Sequence, residues 1–402
     1  METQQARTQK PQIWFANARF GMFIHWGIYS IPAVGEWTLL NQHVPFEEYK
    51  KLADDFKPAK FDAAEWAGLA KQAGAEYVVL TTRHHDGYAL YDSQVSDFTS
   101  VKCAARRDFV AEYVQACRGA GLRVGLYYSL ADWRFPTHSH GQLIPETMEY
   151  MRRYVREQVR ELLSNYGHID LLWFDGPFGY DERGITWDIE WPDWDGENLL
   201  AMARELQPGI VINDRARVPG DYTTPEQQIK AEGSGRLWEA CMTMNDNWGY
   251  HKHDRHWKPT WQLIANLVQC AAGGGAYLLN IGPKPDGSIP ATSAQRMREI
   301  GRWLGDHGEA IFGTERTDIR KDQCSFKDFT AKGNFRYLFE PNWPGKTERI
   351  HNFPHEIVSA QLLKSGRPLQ FRQEPGGIVT FSGLPARPED PWMSVIRLEI
   401  RR

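Results

Sequence analysis

The chain of 402 residues has only five cysteines, Cys103, Cys117, Cys241, Cys270 and Cys324, an odd number with no CxxC spacing. That excludes a disulfide framework and a cysteine-based zinc site, and leaves buried free thiols. No apolar run is long enough to span a bilayer, so no membrane partner is expected. Neither sign of charge dominates: 47 Lys+Arg against 51 Asp+Glu give a formal net charge of -4. The basic footprint of a nucleic-acid binder is missing, and no nucleic-acid partner is expected. The first ten residues are polar and lack the apolar stretch of a signal peptide, which points to a reducing, cytoplasmic setting. No repeat of about 20–50 residues is visible, which argues against solenoids and propellers.

Aromatic rings are abundant instead, with 16 Trp, 16 Tyr and 19 Phe. Sugars present flat C–H faces that pack on such rings, so a carbohydrate site and an aromatic-rich core are both compatible with this composition. A hydrophobic share of 42% and a charged share of 24% are ordinary for a globular chain. The length fits one large domain followed by a small one.

Along the chain, strands alternate with helices. Segments 20–26 (FGMFIHW), 77–82 (YVVLTT), 122–129 (LRVGLYYS), 169–175 (IDLLWFD), 209–214 (GIVIND) and 277–281 (YLLNI) read as strands. Residues 227–230 and 238–242 are weaker candidates for a sixth and seventh. Helices are expected over 62–73, 108–118, 146–164, 261–271 and 293–312. Asp62 with Glu65 forms a capping-box-like start, and Gly74 and Gly167 act as stops. Eight strands alternating with helices over roughly 300 residues predict a parallel (β/α)8 barrel. A doubly wound open sheet usually carries a glycine-rich fingerprint after its first strand, and none follows residue 26 here.

After about residue 313 the pattern becomes short strands with turns between them. Segments 335–339, 357–363, 369–373, 378–381 and 395–400 predict a small antiparallel β-sandwich. In the last, Ile396, Leu398 and Ile400 alternate with Val395, Arg397 and Glu399. The expected organisation is a polar tail over 1–10, a barrel over 11–316 and a C-terminal β-sandwich over 317–402.

A barrel of this kind carries its chemistry at the C-terminal ends of its strands. Those ends read His25-Trp26, His84-His85-Asp86, Tyr127-Tyr128-Ser129, Trp173-Phe174-Asp175 and Asn213-Asp214-Arg215, with Asn280 on the eighth strand. Strand alternation puts Trp173 and Asp175 on one face, toward the barrel axis, and Leu172 and Phe174 on the other. A carboxylate at a barrel mouth needs a use or a partner. The adjacent pair His84-His85 faces opposite ways on a strand, which disfavours joint metal ligation and favours hydrogen bonding of ligand hydroxyls. His138/His140 and His251/His253/His256 have short spacings but fall in loops. Gly273-Gly274-Gly275 precedes a strand, whereas a phosphate loop follows one. No Gly-x-Ser-x-Gly elbow supports a serine nucleophile. Two carboxylates among aromatic rings and hydroxyl-binding groups remain, which is what glycoside hydrolysis requires.

The segments FGMFIHWGI (20–28), Gly35-Glu36-Trp37, TRHHDGY (82–88), GLYYS (125–129), LWFDG (172–176) and LLNIGPKPDGSIP (278–290) together resemble the α-L-fucosidases of glycoside hydrolase family 29. The resemblance runs over roughly residues 12–315, in order. It implies a retaining exo-α-L-fucosidase that acts by double displacement through a covalent fucosyl-enzyme. Asp175 matches the family nucleophile. Glu226, in DYTTPE, matches the acid/base of one branch of the family, with Glu239 as the alternative. His25, Glu36, Trp37, His84, His85, Tyr127, Trp173 and Arg215 match residues that hold the fucose ring, and Trp248 resembles an aromatic packed on its methyl group. Trp37 is followed by Thr38, where the family commonly has an aromatic. The implied partner is a fucosylated oligosaccharide or glycoconjugate, with no cofactor and no metal. Homo-oligomerisation is compatible with the sequence. A related α-L-glycosidase such as an α-L-galactosidase, a catalytically silent sugar-binding barrel and a metal-dependent barrel hydrolase stay open as alternatives.

Overall fold

Eight parallel strands make one sheet that curls on itself. They are β1 (Phe20–Ile24), β2 (Tyr77–Arg83), β3 (Arg123–Ser129), β4 (Leu171–Asp175), β5 (Val211–Ile212), β6 (Tyr222–Thr223), β7 (Leu237–Thr243) and β8 (Ala276–Ile281). β8 pairs with β1, and β5 meets β6 through the single bridge Asn213–Tyr222. The result is a nearly closed (β/α)8 barrel, as the alternation of elements predicts. This computed structural model describes residues 12–181, 184–185, 192–231 and 235–401. The polar tail expected over 1–10 lies outside them.

The principal helices are α1 (Ala63–Gln72), α2 (Phe109–Gly119), α3 (Pro145–Asn165), α4 (Gly196–Leu206), α5 (Thr260–Ala272) and α6 (Ala291–His307). Asp62 caps α1 by accepting from the Ala64 and Glu65 amides, and Asp108 caps α2 by accepting from Ala111. α4 was not among the expected helices. Two strands also differ from expectation. The fifth is confined to Val211–Ile212, and the sixth is Tyr222–Thr223 rather than 227–230. Gln227 adopts φ 54°, which breaks an extended run, and its side chain bonds Thr243. Tyr222 instead pairs with Leu237 in β7.

Alternation along the strands sorts side chains into two cores. Leu172 and Phe174 point to the helix layer, while Leu171 and Trp173 point into the barrel. The interior also holds Phe23, Tyr77, Val79, Tyr127, Tyr222, Cys241 and Leu278. Gly21 makes this packing feasible, because a Cβ there would lie 2.4 Å from the Tyr77 ring. Phe15, from the short N-terminal helix Gln12–Asn17, packs on Tyr77 and Tyr222 at the first residues of their strands. The N-terminal end of the barrel is thereby plugged, and its open mouth is at the other end.

The C-terminal region forms two antiparallel sheets. Its strands are β9 (Phe329–Lys332), β10 (Phe335–Glu340), β11 (Thr347–Ile350), β12 (Ile357–Leu362), β13 (Gln370–Glu374), β14 (Ile378–Ser382) and β15 (Ser394–Ile400). The orders are β9-β10-β15-β12 and β11-β14-β13. β9 and β11 were not anticipated. Leu338, Ile350, Val379, Phe381, Ile396, Leu398 and Ile400 fill the space between the sheets. Val395, one step out of phase, packs with the barrel core, where the Trp303 indole donates to the Met393 carbonyl at 2.8 Å.

Candidate active site

A cavity of about 430 Å³ opens among the C-terminal ends of the strands. Ten residues singled out in the sequence line it: His25, Trp37, His84, His85, Tyr127, Trp173, Asp175, Arg215, Glu226 and Trp248. Among the described residues, Phe23, Pro177, Phe178 and Cys241 also line it and had not been expected there. Phe23 and Cys241 each lie two positions from a named residue on the same strand face, a period-two signal that was available. Pro177 and Phe178 follow Asp175-Gly176 in the loop after β4.

Asp175 ends β4 at the edge of solvent. Its Oδ1 accepts from Arg215 Nη1 at 2.9 Å and its Oδ2 from the Tyr127 hydroxyl at 2.9 Å. Burial works to raise this carboxyl, but Arg215, then His85, outweigh it and hold the group below the usual carboxylate range. Arg215 is itself held by Thr224, whose hydroxyl accepts from Nε at 2.8 Å, and its guanidinium lies 4.5 Å over the Trp173 ring. Its other amino group donates to Glu226 Oε2 at 2.9 Å. One guanidinium thus bridges two carboxylates. Glu226 is the more open of the two, with a side chain 42% exposed against 19% for Asp175.

The hydrogen-bond network fixes the histidine tautomers. Asn280 donates through Nδ2 to the Trp248 carbonyl at 2.7 Å, so its Oδ1, 2.7 Å from His25 Nδ1, is the acceptor. The Ser129 hydroxyl donates to the Ala131 carbonyl at 2.7 Å and therefore accepts from His85 Nδ1 at 2.7 Å. Neutral His25 and His85 each keep a lone pair on Nε2, and that of His85 lies 3.7 Å from Asp175 Oδ2. Burial pushes His25 down to about 3 and His85 to about 4, so both are neutral near pH 7. Burial, then the other two histidines and Arg83, holds His84 well below the ordinary imidazole value. Its Nδ1 is buried without a hydrogen-bond partner among the described residues. Gly176 leaves the room this arrangement needs, since a Cβ there would lie 2.8 Å from Ser129 Oγ and 2.9 Å from His85 Nδ1.

Aromatic rings build the walls. Trp37 packs edge-on to His85 at 5.6 Å and to Trp133 at 5.3 Å, with Phe178 at 6.1 Å. Thr38 stands away from this wall: its hydroxyl donates to the Gly35 carbonyl. On the other side Trp248 lies 5.0 Å from His25 and 5.9 Å from Phe23.

Glu36 and Glu239 lie behind the lining. Glu36 is buried and accepts from the Gly249 amide at 2.7 Å, which ties down the backbone beside Trp248. Burial raises its carboxyl from the ordinary value. Glu239 is wholly buried in the barrel interior and accepts from the Trp173 indole at 2.8 Å and from the Tyr77 hydroxyl. Burial pushes it up to about 7, against the pull of Tyr77, Trp173 and Arg215. The loop histidines His138, His140, His251, His253 and His256 are not in the lining. Among the described residues, Asp246, Asp254 and His256 come together outside it.

The site offers an ionised carboxylate with two donors fixed on it, a second carboxylate at the solvent edge, two imidazole acceptors and apolar walls. Comparison with known proteins agrees with that chemistry. The family model for alpha-L-fucosidase matches residues 1–309. The tissue alpha-L-fucosidase of Macaca fascicularis is 32% identical over 367 residues, which is 82% of this chain and 75% of that protein. Alpha-L-fucosidase isoenzyme 1 from Paenibacillus thiaminolyticus superposes with a TM-score of 0.88 at 35% identity, covering 99% of this chain and 100% of that one. A trapped covalent intermediate of a GH29 alpha-L-fucosidase from Bacteroides thetaiotaomicron, in complex with 2-fluoro-fucosyl fluoride, gives a TM-score of 0.87 at 26% identity over 98% and 97% of the two chains.

Proposed function

This chain belongs to the alpha-L-fucosidase family of glycoside hydrolases, and on that premise we propose that it releases terminal α-L-fucosyl residues from a fucosylated oligosaccharide or glycoconjugate with retention of configuration. Asp175 is the nucleophile and Glu226 the acid/base. In the first step an Asp175 oxygen bonds the anomeric carbon while the bond to the leaving oxygen breaks. The proton for that oxygen comes from Glu226. In the second step Glu226 takes a proton from water, the water oxygen bonds the anomeric carbon, and Asp175 departs as carboxylate. Two inversions at one carbon give net retention.

The observation that carries this reading is the Arg215 bridge, 2.9 Å to Asp175 on one side and 2.9 Å to Glu226 on the other. It brings the two carboxyl groups to one cavity wall, with Asp175 kept ionised for attack. The tautomers of His25 and His85 make both rings acceptors for sugar hydroxyl protons. Phe23 and Trp248 offer an apolar surface that suits the C5 methyl of fucose. The additional hydroxyl of an α-L-galactoside would be set against the apolar ring faces of those two residues.

The reading is tested with 2-fluoro-fucosyl fluoride, the fluorinated sugar seen in the related trapped complex. The expected outcome is a one-to-one covalent adduct on the peptide that contains Asp175. An adduct on a peptide without Asp175 contradicts it.

A further inference from the structure

Glu239 takes no part in the reaction just described, yet it is a carboxylate buried inside the barrel, a placement that is costly without a purpose. We propose that Glu239 is a positioning residue: from β7 it pins the Trp173 indole, and that ring holds in place Arg215 and Tyr127, the two donors to Asp175.

The contacts form a continuous chain. Glu239 Oε1 accepts from Trp173 Nε1 at 2.8 Å, and Oε2 accepts from the Tyr77 hydroxyl. Trp173 stands two residues before Asp175 on the same face of β4. Arg215 lies 4.5 Å over the indole, and Tyr127 stacks on it at 5.6 Å with 18° between the planes. Both then donate to Asp175 at 2.9 Å. An indole free to turn about its side-chain torsions would shift both donors together. Misplacement by about 1 Å near a reacting group can cost about 100-fold in rate. Gly21 supports the arrangement from below, since it leaves space for the Tyr77 ring to lie across the interior.

The proposal rests on Asp175 being the nucleophile, so its test has one arm that reads turnover and one that does not. Turnover of 4-nitrophenyl α-L-fucoside is compared for wild type, Glu239→Gln, Glu239→Leu, Trp173→Phe and the Leu/Phe double variant. Glu239→Gln keeps an acceptor for the indole and stays within about fivefold of wild-type kcat. Glu239→Leu removes the acceptor and lowers kcat about 100-fold while KM stays within about twofold. In the double variant the missing acceptor has no indole donor left to lose, and Tyr77 does not touch Asp175, so its kcat equals that of Trp173→Phe alone. Losses that multiply in the double variant, or azide-restored turnover in Glu239→Leu, overturn the proposal; the second would make Glu239 an acid/base.

The other arm is the indole N–H resonance of Trp173 in 15N-labelled protein, assigned by its loss in Trp173→Phe. It is expected to move when Glu239→Gln exchanges a carboxylate acceptor for an amide, and an unmoved resonance overturns the pin even if the Leu variant does not fold. A wild type that cleaves no fucoside defeats the functional reading, and this resonance still decides the contact.

Discussion

Arg215 Nη1 lies 2.9 Å from Asp175 Oδ1, and this contact sets the ionisation of the site. Burial alone would raise the Asp175 carboxyl, but Arg215 is the largest opposing influence and brings it below the ordinary range. The reactive form is the carboxylate. The acid limb of activity is therefore set by Asp175, and activity falls as pH drops through that depressed value. Arg215→Met removes the opposing charge, so the carboxyl rises and the acid limb of kcat/KM moves to higher pH. A pH–rate profile of the two proteins checks this, and an acid limb that stays in place contradicts it.

Asp175→Asn keeps the shape and removes the nucleophilic charge. Turnover is expected to fall by several orders of magnitude, as is usual when a covalent nucleophile is lost, with an unchanged circular dichroism spectrum.

Glu226 has a different signature, because a proton donor matters most when the departing oxygen is a poor leaving group. In Glu226→Ala, kcat/KM for a fucosyl disaccharide should fall far more than for 4-nitrophenyl fucoside. Equal losses on both substrates would take the acid/base role away from Glu226.

The tautomer assignment predicts a pH effect on binding. Asn280→Asp places a carboxylate against His25 Nδ1 and raises the imidazole from about 3. As pH falls, a growing fraction of His25 carries a proton on Nε2 and stops accepting from the sugar. The variant also loses the Asn280 donor to the Trp248 carbonyl at every pH, so the readout is the change with pH. The ratio of its KM to that of wild type should grow about three- to tenfold from alkaline to acid pH, the loss expected for one hydrogen bond. KM measured across pH for both proteins gives the comparison.

Behind His84 and His85, Arg83 and Asp132 form a fully buried ion pair at 3.0 Å, and Arg134 joins Asp132 at 2.6 Å. Asp132→Ala leaves a buried guanidinium without its carboxylate. That should cost about 3–5 kcal/mol of stability, read as a lowered urea midpoint. A midpoint within experimental error of wild type would contradict it.

The strands that end in polar residues were legible because their apolar runs give way to polar residues at or shortly before His25, His84, Tyr127 and Asp175. β5 was legible within the run 209–214, although only Val211–Ile212 pairs as strand, whereas β6 was not, because two residues carry no period and it meets β5 through one bridge at Asn213–Tyr222. The aromatic wall was half legible. Trp37 and Trp248 stood in motifs, whereas Phe178 reaches the cavity through a loop whose path no local pattern fixes. Glu36 was placed at the sugar by resemblance, while its contact with the Gly249 amide joins residues 213 positions apart. The histidine tautomers could not be read at all, since each depends on a partner from another strand or loop.

The most direct test of the account is to follow 4-nitrophenyl α-L-fucoside by NMR with wild type and with Asp175→Ala, each with and without azide. Wild type should release α-L-fucose first, and Asp175→Ala should be nearly silent until azide restores turnover as β-L-fucosyl azide. β-L-Fucose as the first wild-type product, or an Asp175→Ala variant as active as wild type without azide, would contradict it.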